Sequence, residues 1–207
     1  MTVSEDIVAI RTARVEPIRP LRLSDRFATA LAHGLWLAIA LVAALAIVGI
    51  PLAIVGRFRP VLVLPAITVV GGALWWFTRR AIDQVRVGPA ALAIVVLGVG
   101  SVTVTNVIWA SEHLATNRDP GGYTITAHWL ADEGDLLLPG LEGPFAETPG
   151  LRGAAFAFYD TGENDGRIYA QFAHLTAAVL AIGDWLGGDR LLLYTTPLLG
   201  GVALFAF

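Results

Sequence analysis

The feature that most constrains this chain is where its charges are missing. Residues 27–56 form a run of 30 residues without a formal charge, 60–78 a run of 19 and 87–111 a run of 25. A helix needs about 20 apolar residues to cross a hydrocarbon core of about 30 Å, so each run is long enough to span. The first is too long for the apolar part of a signal peptide and no small-residue cleavage site follows it, so it reads as an anchor that stays. Pro51 lies in its last turns, where a missing N–H ends or kinks a helix. Composition agrees: 56% of the 207 residues are hydrophobic and 15% charged, against about 25% charged in a soluble domain. An ordinary soluble domain is excluded.

The C-terminal part carries two shorter uncharged runs, 168–183 and 191–207, separated by Asp184-Trp185-Leu186-Gly187-Gly188-Asp189-Arg190. They read as a hairpin of two membrane helices, the first short and bearing Gln171 and His174. One interfacial helix followed by one span is the alternative. The expected fold class is therefore all-α integral membrane, with about five transmembrane helices and a large outer loop bearing an interfacial amphipathic helix. The expected divisions are a cytoplasmic tail (1–26), three spans (27–110), an extracytoplasmic loop (111–167) and two further membrane helices (168–207). The chain ends inside an apolar run, so it reads as the front of something longer.

All 14 basic residues are arginine, and their placement sets the orientation. Arg11, Arg14, Arg19, Arg22 and Arg26 lie in the tail, and Arg79, Arg80 and Arg86 follow the second run. Only Arg57 and Arg59 stand between the first two runs. The tail is expected on the cytoplasmic side and 112–167 outside. No basic run is long enough for nucleic acid. With no cysteine, disulfides, thiolate metal sites and cysteine nucleophiles are excluded.

The outer loop holds ten acidic residues against three arginines. Asp119 before Pro120 is a helix start, with Asp at the N-cap and Pro at N1, and Gly134 fits the stop, giving a helix over roughly 120–133. On it Tyr123, Ala127 and Leu130 share one face, while Thr124, His128 and Asp132 share the other at i, i+4, i+8. Such a helix is expected to lie on the bilayer surface. Residues 140–153 read as loop. Residues 154–159 and 167–169 flank a turn rich in Gly, Asn and Asp, the pattern of a small hairpin.

Three loose motifs stand in order around these runs: Arg118-Asp119-Pro120-Gly121-Gly122-Tyr123, Glu133-Gly134-Asp135-Leu136-Leu137-Leu138-Pro139, and Gly183-Asp184-Trp185-Leu186-Gly187-Gly188. Together, over about residues 90–207, they resemble the GT-C superfamily of membrane glycosyltransferases, especially its bacterial protein O-mannosyltransferase-like and aminoarabinose-transferase-like branch. The resemblance implies an inverting sugar transfer at the outer face of a bacterial plasma membrane. The donor would be a polyprenyl-phosphate-linked sugar held among membrane lipid, and the acceptor a glycan, a lipid or a protein. It implies that Asp119 is the general base. The sequence departs from the pattern in having a lone acid where many members have two, and in stopping short of the later loops that complete the site.

Each candidate also has a plain structural role. Asp119 is an N-cap as well as a base, and the two roles coexist. Arg118 meets lipid headgroups or a donor phosphate. Tyr123 packs at the interface or touches substrate. Asp135 closes a helix stop or lines the site. Gln171 and His174 bond to neighbouring helices or to the donor, since polar groups inside a membrane are costly. His128 and Asp132 form a solvated face or share a divalent metal ion, the one cofactor to consider, for which the sequence names no third ligand. Of the six Trp, several fall at expected span ends, as in an aromatic belt, and none is given a chemical role. The competing reading is a non-enzymatic membrane subunit or assembly factor whose outer loop binds a partner.

Overall fold

The computed structural model describes residues 23–82, 88–109, 119–139, 158–160, 167–171 and 173–206. The first charge-free run becomes α1 (Leu23–Ala44), a π-helical turn (Leu45–Gly49) and α2 (Ile50–Ile54) in unbroken succession. Pro51 stands at the start of α2. Proline cannot donate to the i−4 carbonyl and its ring crowds it, and a π-turn is a recurrent way for a helix to pass such a point. The helix therefore goes on to Ile54, where the sequence reading allowed it to end. The second run is α3 (Pro60–Ile82) and the third α4 (Pro89–Ile108).

These are three helices long and apolar enough to cross a membrane: Asp25–Ile54, Pro60–Ile82 and Ala90–Ile108. Only 28%, 17% and 0% of their most apolar windows is buried inside the protein. Phe27, Ile47, Val61, Phe77, Ile94, Leu97 and Ile108 all face outward. A continuous apolar surface of this kind marks contact with another apolar phase, as expected of helices long and apolar enough to cross a membrane. Several hydroxyl and amide side chains within these helices bond to their own backbone, and Trp36 Nε1 donates across to Thr78 Oγ1 at 2.6 Å. Thr29 donates to the Asp25 carbonyl, Thr68 to Leu64, Thr78 to Leu74 and Asn106 to Val102. This is the cheapest satisfaction available where water is absent. α1 packs on α3, where Gly71 lets Leu41 and the Ala40 backbone approach closely.

After the third span come α5 (Asp119–Glu133), β1 (Leu137–Pro139), β2 (Phe158–Asp160), β3 (Arg167–Ala170) and α6 (His174–Ala206). The strands form an antiparallel sheet in the order β1-β3-β2, with Leu138 opposite Ile168 and Phe158 opposite Ala170. The fold is mostly helical, but the small sheet corrects the all-α expectation. The β2–β3 pair is the hairpin read from the sequence, and its turn at 161–166 lies outside the described residues. β1 was not expected. Pro139, which has no N–H to give, ends it at the sheet's edge.

The C-terminal hairpin begins later than its charge-free run. Residues 168–170 belong to β3, Gln171 lies in a bend, and the helix starts at His174. α6 breaks at Gly187 (φ −163°, ψ 20°) and Gly188 (φ 62°, ψ −159°). Beyond the break the chain doubles back, so that a Cβ on Gly183 would run into Thr195 and Leu191. The half before the break spans roughly 20 Å at 1.5 Å per residue. The half after it packs along α4, with Gly201 against Thr103.

The core lies at one end of the bundle. Phe58, Leu130, Ala127, Ala178, Ala181 and Leu192 are buried together, and Tyr123, Leu175 and Trp185 pack against them. A second cluster of Leu138, Phe158, Ile168 and Ala170 joins the sheet to Ile125 and Trp129 of α5. α5 is thus gripped on two sides, which corrects the picture of an amphipathic helix with one wet face. Thr124 is buried on the face expected to be polar, and Asp132 is exposed. α5 is also clamped to the turn after the first span: Phe58 N–H donates to the Gly134 carbonyl, and the Arg59 guanidinium donates to the Asp132 carbonyl.

Candidate functional site

His128, Asp184 and Asp189 meet where α5 passes the break in α6. His128 Nδ1 lies 3.2 Å from Asp184 Oδ2, and its Nε2 lies 3.7 Å from Asp189 Oδ1. The side chains are 36%, 15% and 86% exposed, respectively. One potential ligand atom from each lies within 4.8 Å of the other two. Local chemistry explains the placement. Gly187-Gly188 lets the chain reverse, so Asp184 in the last turn before the break and Asp189 in the first turn after it point to one place. Trp185 fixes the first half against α5: its Nε1 donates to the Ala131 carbonyl at 3.0 Å and its ring stacks on Phe58 at 4.8 Å.

Two carboxylates this close repel. At 4 Å the interaction is about 1 kcal/mol in water and about 4 kcal/mol near a protein surface, and Asp189's exposure draws it toward the lower figure. Among the described residues His128 is the ion-pair partner of both acids, and neither has an arginine partner. Asp184 also sits at a helix C-terminus, where the macrodipole disfavours an anion. One imidazole and two carboxylates are a donor set that attracts positive charge.

The residues named from the sequence do not converge here. Arg118 lies outside the described residues. Asp119 opens α5 as expected, nine residues from His128, or about 13 Å along the axis. The two occupy opposite parts of one helix. Tyr123 is half-buried against the core. Asp135 has a structural role: its Oδ1 accepts from Leu137 N–H at 3.1 Å, tying the helix stop to β1. Gln171 is exposed in the bend after β3, which corrects its placement in a helix. His174 opens α6, and its buried Nδ1 has no hydrogen-bond partner among the described residues. Asp132 is exposed and is not among the residues that gather with His128 at this cluster.

Asp184 and Asp189 were missed. Their stretch, two acids astride a Gly-Gly between apolar runs, read as a turn and, up to Gly188, as part of a motif, with no role given to either acid. Their partner stands 56 residues earlier for Asp184, beyond the reach of spacing. Trp129 and Trp185, given no role from the sequence, act as clasps: Trp129 Nε1 donates to the Leu137 carbonyl at 2.8 Å, and Trp185 Nε1 to the Ala131 carbonyl. Comparison with protein families, curated proteins and solved structures gave no match.

Proposed function

We propose that the chain is a glycosyltransferase of the GT-C kind, moving a sugar from a polyprenyl-phosphate donor to an acceptor hydroxyl on the outer face of the membrane, with Asp119 as general base. The observation that supports this reading most is the anchoring of α5. The helix that begins at Asp119 is held by Phe58, Arg59 and Trp185 to the turn between two spans. These contacts hold the C-terminal end of the helix whose first residue is Asp119, and a fixed helix suits a residue that has to be positioned against a donor and an acceptor.

The chemistry needs little more from the protein. An acceptor hydroxyl is a weak nucleophile, and a carboxylate within hydrogen-bond reach takes its proton as the oxygen attacks. The anomeric carbon gains a bond to that oxygen and loses its bond to the phosphate oxygen. The phosphate leaves with the electron pair on its lipid, and the configuration inverts.

The test uses the native gene product in membranes given a radiolabelled polyprenyl-phosphate sugar. Label is expected to leave the lipid fraction, and Asp119→Asn is expected to slow this by about 10²- to 10⁴-fold with expression unchanged. Undiminished transfer by a folded Asp119→Asn protein would sink the assignment. Absence of transfer, together with a complex that outer-loop substitutions disrupt, would favour the subunit reading.

A further inference from the structure

We infer that His128, Asp184 and Asp189 form a binding site for one divalent cation of the Mn²⁺ or Zn²⁺ class. The inference stands apart from sugar transfer, because it uses none of the residues assigned to that reaction. Imidazole nitrogen and carboxylate oxygen are the donor set such ions accept. Metal–nitrogen and metal–oxygen bonds of about 2.0–2.2 Å put ligand atoms at most about 4.4 Å apart. The three atoms here lie within 4.8 Å of one another, so they reach an ion by side-chain adjustment alone, without moving α5 or α6. Asp189, exposed at the break, supplies that adjustment most easily.

The framework around the cluster is fixed. The Trp185 indole and the Phe58 stack hold Asp184's turn of helix against α5, so His128 and Asp184 face each other before any ion arrives. Two carboxylates and a neutral imidazole carry a net −2, which a divalent cation balances and a single imidazolium does not. Three protein ligands on an open side leave coordination positions for water or an anionic ligand, as in sites that act on substrates and unlike closed four-ligand structural sites.

The whole protein, purified in detergent and stripped with a chelator, is titrated with Mn²⁺ while the electron paramagnetic resonance signal of the free ion is followed. About one Mn²⁺ per chain is expected to bind, with Zn²⁺ competing for it. Asp184→Asn and Asp189→Asn are each expected to weaken binding at least about tenfold. Asp132→Asn, exposed one turn further along α5, is expected to leave it unchanged. Asp189→Asn alters an exposed side chain, so its thermal midpoint should match the parent's and its result is read on a folded protein. No binding by the parent chain overturns the site. So does binding that Asp189→Asn retains in full, or binding that Asp132→Asn weakens equally. Transfer activity is a separate readout, and its loss in Asp119→Asn leaves Mn²⁺ binding as it was.

Discussion

At Gly134 the backbone takes φ +75°, and a Cβ there would lie 2.9 Å from the Phe58 carbonyl oxygen and 3.1 Å from Arg59 Nε. The stop of α5 and the seat of the 55–59 turn are thus the same residue. Gly134→Ala faces both the left-handed penalty of about 1 kcal/mol and the clash, so a loss of about 2 kcal/mol or more is expected in thermal or denaturant unfolding. Phe58 is fully buried, and Phe58→Ala is expected to lose about 3–5 kcal/mol in the same assay. Gly134 was legible in the sequence because a helix stop needs a residue that tolerates positive φ. Phe58 was not, because a lone aromatic between two arginines carries no period, and only the fold reveals that it stacks on Trp185.

At the scale of elements, the break in α6 decides what the C-terminal third does. Two glycines act in different ways. Gly188 has φ 62° and ψ −159° with open space around its Cβ direction, so Gly188→Ala costs backbone strain alone, of order 1–3 kcal/mol. Gly183 is an ordinary helical residue pressed against Thr195 and Leu191, so Gly183→Ala acts by forcing the two halves apart. Unfolding of the single and double variants is expected to show less than additive losses, because either change opens the same hairpin. Full additivity would mean that strain and contact are independent. The turn itself was readable from Asp184 to Arg190. The start of the helix was not. An uncharged run does not distinguish strand from helix, and Ile168 and Ala170 went to the sheet because alternate residues of β3 are buried there.

For the whole molecule, the three apolar helices and the clamp make a topological statement that one experiment can break. The Arg bias is the ground for expecting the 79–88 loop inside and the segment after the third apolar helix outside. The chain has no cysteine, so a single introduced thiol labels without background. Arg80 and Glu133 are both exposed, and they flank the third span. In intact cells a membrane-impermeant maleimide is expected to label Glu133→Cys at once, and Arg80→Cys only after the membrane is opened. The reverse pattern would keep three spans and invert the orientation, moving Asp119 and the His128 cluster to the cytoplasmic face and removing the outer-face reaction. Labelling of both from the same side would deny that residues 90–108 cross the membrane. The close approach of 55–59 to α5 would then need another path of the chain. Of the three patterns, the expected one alone is compatible with the proposed transfer at the outer face, because it puts α5 on the side where that acceptor lies.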